Sequence, residues 1–228
     1  MPRPRPAEGQ PAPVVCPCFT PGVSIMTEAG PRRIETLRPG DRVVTRDNGL
    51  QEIRWIGARK LTIQDLLREP QLHPVLIQQG SLGDGLPERD MLVSPRHRVL
   101  VERGRTAHET AREIDTPEAL ISAQHLIDHR QICGIDAPGI TYVHFLCDRH
   151  EVVLSNGLWT ESFQPSDAAL AALENAQRVE LGRMFPALEG LAAYAPARPR
   201  VVPQRPDRPA EPRLRRPVPV TEPPAPAP

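Results

Sequence analysis

The sequence predicts an all-β domain that carries one C-terminal amphipathic helix and is flanked by disordered, proline-rich ends. Three observations predict this class. Over residues 18–163 the apolar segments are short, often β-branched and separated by Gly, Pro and Asp. A sustained helical period is lacking there, apart from the stretch "IQDLLRE". Prolines cluster outside this region: six of the 29 fall in the first 17 residues and twelve fall between Pro196 and Pro228.

The proline-rich ends set the expected domain boundaries. Their low apolar content and repeated Pro, Arg and Ala cannot offset the entropy lost on ordering. We therefore expect residues 1–17 to be a disordered leader and residues 191–228 a disordered tail. Residues 18–163 are expected to form the folded domain, which is long enough to bury a core, and residues 164–190 a helix packed on it.

The expected strands follow one another with turns between them. They lie in "VSIMT", "RRIETLRPGDRVVTR", "DNGLQEIRWIG", "PVLIQQG", "DMLVSPRHRVLVERG", "ALISAQHLI" and "YVHFLCDRHEVVLSNGLW". The sequence Asp47-Asn48-Gly49 predicts a hairpin turn, because Asn and Gly tolerate positive φ. Asp41, which follows Pro-Gly, is expected to close a turn by accepting local N–H groups. Trp55 and Trp159 lie in apolar segments and are expected to be core anchors.

After Pro165 the pattern becomes helical. The stretch "SDAALAALENAQRVELGRMFPAL" begins with Ser166, a good N-cap residue. Its larger apolar residues fall near one stripe, namely Leu170, Leu173, Leu181, Met184 and Leu188. This spacing predicts an amphipathic helix of about five turns. We expect it to pack against the β domain, and a helix that binds a partner is the alternative.

Charge and hydropathy exclude several classes of protein. The formal net charge is zero, acidic residues are interleaved with the arginines, and the chain has only 4 Phe, 2 Tyr and 2 Trp, so we expect no nucleic-acid partner. No apolar run is long enough to span a bilayer, and the N-terminus lacks the apolar core of a secretory signal. We therefore expect no membrane partner and a cytoplasmic location, with leaderless secretion left open.

Cys18 is the first candidate for chemistry because it stands where the proline-rich leader meets the first strand. Most lone cysteines are buried structural residues. At this junction, however, the sulfur is beside a peptide bond, Pro17–Cys18, that the fold can hold in a chosen geometry. The sulfur could then attack the carbonyl carbon of Pro17. That attack needs thiolate character, hydrogen-bond donors for the oxyanion and an acid for the departing nitrogen.

Ser94 and His97 fit the donor and acid roles by residue type. Both lie in "LVSPRHRVLV", with two residues between them. A hydroxyl can hydrogen-bond the backbone beside the scissile amide, and an imidazole can donate to the amide nitrogen and protonate it as it leaves. A Ser-x-x-His spacing occurs often by chance, so by itself it is a weak signal.

The tripeptide "CPC" at residues 16–18 offers two other interpretations. Cys16 could be the nucleophile, or Cys16 and Cys18 could form a metal or redox pair. A Cys-x-Cys without a second cysteine pair is a poor zinc signal, and His144 or His150 would have to complete the site. The four cysteines, which include Cys133 and Cys147, are too few for a disulfide-built scaffold. We expect neither a metal nor a cofactor.

The segment "CFTPGVSIMTEAGPRRIETLRPGDRVVTRDNGLQEIRWIG" resembles the opening of the Hint domain that hedgehog proteins and inteins share, especially the bacterial hedgehog/intein-like subgroup. It has the Cys-Phe-x-x-Gly start at Cys18 and the "IETLRPGD" turn. "LVSPRHRVLV" falls where the family carries Thr-x-x-His, with Ser94 in place of Thr. "YVHFLCDRHEVVLSNGLW" resembles the late block of paired strands. The blocks occur in order over residues 18–163.

This resemblance implies a horseshoe-like all-β fold that processes its own chain. Cys18 would convert the Pro17–Cys18 amide to a thioester by an N–S acyl shift, His97 would protonate the nitrogen, and Ser94 would orient the peptide. The late block holds His144, which we favour as the third catalytic group because family members place a polar residue there. It also holds His150, which is either catalytic or a satisfied strand histidine. Asp148 is expected to polarise His150 or to cap a hairpin.

One departure from the family limits the chemistry. Splicing inteins end in His-Asn, whereas Glu161 and Ser162 occupy that place here and cannot form a succinimide. We therefore expect neither C-terminal cleavage nor ligation, but discharge of the thioester to water, a thiol or an amine. The substrate would be the chain's own N-terminal segment. The rival hypothesis is a catalytically silent Hint fold that acts as a binding or structural module.

Overall fold

The computed structural model describes residues 17–165, 170, 173 and 175–184 of the 228. Short strands dominate this part of the chain, which confirms the all-β class. The strands and helices are β1 (Ser24–Thr27), β2 (Gly30–Arg33), β3 (Arg42–Thr45), β4 (Gly49–Glu52), β5 (Trp55–Thr62), α1 (Ile63–Arg68), β6 (Val75–Ile77), β7 (Met91–Val93), β8 (Arg98–Glu102), α2 (Thr110–Glu113), β9 (Glu118–Ser122), β10 (Ile132–Gly134), β11 (Gly139–Leu146), β12 (Val152–Ser155), β13 (Leu158–Glu161) and α3 (Asn175–Met184).

The strands pair into one large and two small sheets. The large sheet has the order β2-β1-β3-β12-β13-β8-β9, and β4 adds to β3. The small sheets are β10-β6-β7 and β11-β5. The pairs that join neighbouring segments, such as β3–β4 and β12–β13, are antiparallel hairpins, which short turns can connect.

Turn residues fall where the sequence predicts them. Gly49 has a φ of 64° and closes the hairpin between β3 and β4. Asn156 and Gly157, with φ of 44° and 80°, form the two-residue loop between β12 and β13, where the positive φ values match the twist of the strands. The carboxylate of Asp41 accepts the N–H of Arg38 at 2.7 Å, so Asp41 closes its turn as expected.

Phe19 links the two small sheets. It forms isolated antiparallel bridges to Val93 at the end of β7 and to Val143 in β11. The Phe19 N–H donates to the Val143 carbonyl at 2.8 Å, and the Val143 N–H donates back at 2.9 Å. Because successive side chains of extended backbone point to opposite sides, Phe19 and Cys18 enter different clusters of the core.

The buried side chains form one large and two smaller clusters. Phe19 and Phe145 lie in the large cluster. Cys18 lies in the second cluster, whose buried members are Cys18, Trp55, Leu61, Leu66, Leu72, Ala137, Tyr142, Leu146, Phe163, Leu173 and Leu181. Trp159 packs against the third cluster. Trp55 is therefore a core residue, as expected, whereas Trp159 is only partly buried and the Arg46 guanidinium lies 5.7 Å over its ring.

The helices differ in part from the expectation. α1 forms where "IQDLLRE" predicts it, with Thr62 and Asp65 as a capping box. In the C-terminal region the described helix is α3, and Leu173 lies in a bend before it, so one unbroken helix through that position is wrong. The bend still lets Leu173 and Leu181 reach the same core cluster. Ser166, the expected N-cap, lies outside the described residues.

α3 contacts the domain directly. Leu181 is fully buried, and the side-chain amide of Gln177 donates to the carbonyl of Ala58 in β5 at 3.0 Å. Among the described residues no helix is long and apolar enough to cross a membrane. Residues 1–16 of the expected leader (1–17) and the expected tail over residues 191–228 lie outside the described residues, so the expected domain boundaries stay a prediction.

Phe145→Ala is expected to lower the free energy of unfolding by about 3–5 kcal/mol, because a buried ring is lost and a cavity remains. Phe145 is fully buried and its ring stacks on that of Phe19, with 5.9 Å between centroids. Urea unfolding measures the change. Leu67→Ala is the control, since Leu67 is 72% exposed and its truncation should cost less than about 0.5 kcal/mol. Equal losses in the two variants would contradict this account of the core.

Candidate functional site

The register of Phe19 places Cys18 between two of the predicted site residues. Phe19 lies opposite Val93 on one side and Val143 on the other. In an antiparallel pair, one step back along one strand matches one step forward along its partner. Cys18 therefore lies opposite Ser94 and also opposite His144. Two short bridges thus bring together residues that are 76 and 126 positions apart in sequence.

The contacts agree with this register. Cys18 Sγ lies 3.4 Å from Nδ1 of His144. The Cys18 N–H donates to Oγ of Ser94 at 2.8 Å, and the Ser94 N–H donates to the Cys18 carbonyl at 3.0 Å. In this contact the hydroxyl is an acceptor, whereas the sequence argument expected a donor. Ser94 therefore holds the nitrogen of the Pro17–Cys18 amide in place.

The site is removed from water. Cys18 is 3% exposed, His144 is 2% exposed, and Ser94 and His97 are fully buried. In such surroundings a single charge is costly. A proton that leaves the sulfur needs an acceptor close by. Nδ1 of His144 is in that position.

His144 forms an aromatic cluster with Trp55 and Phe163, whose rings also contact each other at 6.3 Å between centroids. The centroid of its ring lies 5.2 Å from that of Trp55 and 5.2 Å from that of Phe163. Across the β5–β11 pair it lies opposite Gly57. A Cβ at Gly57 would come within 2.3 Å of the Trp55 ring and 2.9 Å of Nε2 of His144. Sequence reasoning missed Gly57, although a glycine inside a strand often marks a close approach.

The described contact of the His97 ring is with Phe19, the residue after Cys18, and not with Cys18 itself. The backbone N–H of His97 closes a turn by donating to the Ser94 carbonyl at 3.0 Å. Its ring packs edge-on against Phe19, with 4.3 Å between centroids. Within the described part of the chain, neither ring nitrogen has a hydrogen-bond partner. The contact with the scissile amide that the sequence argument gives His97 stays a prediction.

Burial lowers the pKa of His97 to about 4. Among its charged neighbours, Glu161 acts against that shift, while Arg98 and His150 add to it. The ring is therefore neutral at pH 7 and can offer one N–H as a hydrogen-bond donor. As a proton donor it must first become an imidazolium, which its surroundings disfavour.

His150 belongs to a second polar cluster. Its described hydrogen bond joins Nε2 to Oε2 of Glu161 at 3.1 Å, rather than to Cys18. Oε1 of Glu161 accepts the backbone N–H of Arg98 at 2.9 Å, and the Arg98 guanidinium lies 3.3 Å from Oε2. Asp148, expected beside His150 or as a hairpin cap, instead forms a two-bond ion pair with Arg54 at 2.9 and 3.0 Å.

Glu161 is a buried anion. Burial acts to raise the pKa of its carboxyl, but the hydrogen bond from His150 and the charge of Arg98 outweigh burial, and the pKa is lowered overall. Sequence reasoning noted Glu161 only as a departure from the splicing pattern. The signal it left unused is a carboxylate in an apolar strand, "LWTESF", which has to find a buried partner.

Cys133 and Cys147 are the other cysteines that the structure describes, and both are buried. Burial, followed by the charges of Glu151 and Asp148, raises the pKa of Cys147 to about 12, so its thiol is inert at neutral pH. Among the described residues no group of three or more His, Cys, Asp and Glu side chains could hold a metal ion. Cys16, the alternative nucleophile, lies outside the described residues.

The sequence model of the Hint domain matches residues 17–167, a span that begins one residue before Cys18. The chain belongs to the Hint domain family. Its all-β architecture is accordingly the Hint fold, as the resemblance implies.

Solved structures similar to this Hint domain include an intein and a bacterial intein-like domain. The crystal structure of the gp41-1 intein is 12% identical, with a TM-score of 0.36, and the match covers 63% of this chain and 97% of that one. The solution structure of a bacterial intein-like domain from Clostridium thermocellum is 13% identical, with a TM-score of 0.38, and the match covers 64% and 97%. No curated protein sequence matches the chain.

The stability of this Hint domain is expected to fall as the pH drops from about 6.5 to about 4. His97 has a lower pKa folded than unfolded, so below about 6.5 the unfolded chain binds the proton first. The full shift corresponds to about 3 kcal/mol of unfolding free energy. Urea titrations at several pH values measure it. His97→Gln should flatten this pH dependence, and an unchanged slope would contradict the buried, neutral state.

Gly57→Ala is expected to displace the His144 ring and destabilise the domain, because the new methyl group collides with Trp55 and His144. We expect a loss of roughly 1–3 kcal/mol, typical of overpacking. Histidine NMR shifts of His144 and urea unfolding report the two effects. Gly182→Ala in α3 is the matched control, since nothing lies within 4 Å of a Cβ there. A Gly57 variant that behaves like this control would refute the close approach.

Proposed function

We propose that this Hint domain cleaves its own chain between Pro17 and Cys18 through a thioester. The observation that carries the proposal is the position of Cys18, whose sulfur lies 3.4 Å from Nδ1 of His144 while its own amide nitrogen is held by Ser94 at 2.8 Å. Nucleophile, proton acceptor and scissile amide thus meet at one residue. Hedgehog proteins and inteins, which share the Hint domain, also process themselves.

The first step activates the sulfur. Nδ1 of His144 accepts the thiol proton as Sγ of Cys18 attacks the carbonyl carbon of Pro17. Trp55 and Phe163 both pack against the ring, so the proton acceptor is already oriented. Attack forms a tetrahedral intermediate that contains both the new C–S bond and the old C–N bond.

The second step breaks the C–N bond of the Pro17–Cys18 amide. The departing nitrogen needs a proton, and His97 supplies it as an imidazolium. Because the pKa of His97 is lowered to about 4, only about one molecule in a thousand carries that proton at pH 7. One proton leaves the sulfur and one reaches the nitrogen, so the acyl shift is an isomerisation without a co-reactant. Its product is a thioester between Pro17 and Cys18.

The thioester then passes its acyl group to water, a thiol or an amine, which separates the N-terminal segment from the domain. Splicing does not follow, because it requires an Asn that cyclises downstream. At the corresponding place the carboxylate of Glu161 is engaged by Arg98 and His150, and Oγ of Ser162 accepts the N–H of Glu151 at 2.9 Å. Neither side chain can make a succinimide.

Purified chain treated with dithiothreitol or hydroxylamine is expected to lose residues 1–17, since both nucleophiles attack thioesters. Intact-mass spectrometry would show the product that starts at Cys18. Cys18→Ala should abolish this product, and Cys16→Ala, the matched control, should leave it unchanged. His144→Ala should slow its formation by roughly 10²–10⁴-fold, the usual contribution of general acid–base catalysis.

Two outcomes would overturn the proposal. Full-length mass after prolonged thiol treatment would favour the silent module, and loss of cleavage in Cys16→Ala but not in Cys18→Ala would assign the nucleophile to Cys16.

Ser94→Thr keeps the hydroxyl and should retain more activity than Ser94→Ala. That pair separates the hydrogen bond to the Cys18 nitrogen from simple packing.

A further inference from the structure

Glu161 has no role in the steps above, yet it is fully buried and ionised on the strand that pairs with β8, and His97 directly precedes β8. We propose that Glu161 is the counter-charge of His97 and thereby sets the pH range in which the chain cleaves itself. Glu161 is a positioning residue in this sense, because it acts through His97 and not on the scissile bond. The inference rests on the proposed self-cleavage.

The geometry comes from the pairing of β13 with β8. Thr160 lies opposite Val99, so Glu161 lies opposite Arg98, the residue that follows His97. Oε1 of Glu161 accepts the N–H of Arg98 at 2.9 Å, which ties the carboxylate to the backbone at that point. The strand register thus fixes a negative charge one residue away from the buried imidazole.

Among the described residues, three charged or titratable groups act electrostatically on His97. They are Glu161 on β13, Arg98 on β8 and His150 in the loop before β12. The Arg98 side chain is 28% exposed, whereas that of Glu161 is fully buried. Water therefore screens the guanidinium more than it screens the carboxylate. The balance of these charges stabilises the positively charged form of His97 more than the same site would without Glu161.

This balance controls how often His97 can donate a proton. The imidazolium is rare at neutral pH, and its population falls tenfold for each unit by which the pKa of His97 decreases. Removing the carboxylate charge should make the imidazolium rarer and should move self-cleavage to lower pH. Removing the Arg98 charge should do the opposite. Opposite effects from two residues that bond to each other are hard to obtain from simple loss of packing.

The test compares two isosteric variants of the full chain. Glu161→Gln removes the charge and keeps one acceptor oxygen for the Arg98 N–H, while its NH2 group replaces the oxygen that now faces His150. Glu151→Gln is the matched control, because Glu151 is also buried and lies one residue from His150, while its side chain bonds Asn48 instead. The thiol-induced cleavage rate is measured by intact mass from pH 5 to pH 9. We expect Glu161→Gln to be at least tenfold slower at pH 7, with its profile shifted to lower pH, and Glu151→Gln to match the unaltered chain.

Arg98→Gln is the second variant and keeps the proposal testable if Glu161→Gln fails to fold. It should cleave faster at pH 7 and should shift the profile to higher pH. Slower cleavage with an unshifted profile in both variants would assign Glu161 and Arg98 a purely structural role and would overturn the inference.

NMR titration of His97 separates this inference from the proposed function, because it needs no cleavage. The pKa of His97 should be lower in Glu161→Gln and higher in Arg98→Gln than in the unaltered chain. If those shifts appear while no variant cleaves, self-cleavage fails and the charge coupling stands. If cleavage occurs but the pKa of His97 is the same in all three proteins, the coupling is refuted and self-cleavage stands.

Discussion

The structure depends on the two-sided pairing of Phe19. Its backbone exchanges two hydrogen bonds with Val143, at 2.8 and 2.9 Å, and it bridges Val93 on the other side. This single residue closes the gap between the two small sheets. The same register fixes what surrounds the residue before it, since Cys18 must then lie opposite both Ser94 and His144. Architecture and candidate chemistry therefore share one constraint, and a slip by one residue would turn the Cys18 side chain to the opposite face.

The two histidines near this pairing have different surroundings. His144 is on the Cys18 side of the backbone, packed against Trp55 and Phe163, where Gly57 leaves room for it. His97 is on the Phe19 side, where burial favours its neutral form. Extended backbone produces this division because consecutive side chains alternate in direction. A proton acceptor for the sulfur and a donor for the nitrogen can then approach one peptide group from its two sides without meeting each other.

Sequence patterns predicted the all-β class, the turn at Gly49, the helix α1 and the nearness of Cys18 to Ser94 and His144. These features depend on local periodicity, on turn chemistry or on motifs that the family shares. Sequence reasoning could not show that Gly57 clears space for His144, because that depends on the cross-strand register. It favoured His144 but left the role of His150 open for a similar reason: the hydrogen-bond partner of His150 is Glu161, eleven residues further along. The bend at Leu173 was also missed, since the apolar stripe continues through it.

The bond between Pro17 and Cys18 lies outside every backbone pairing described for Phe19. Severing it would leave both bridges, the clusters of the core and all three sheets as they are. In the proposed self-cleavage, the remaining domain would therefore stay folded but would no longer contain its substrate bond. Each chain would thus react only once.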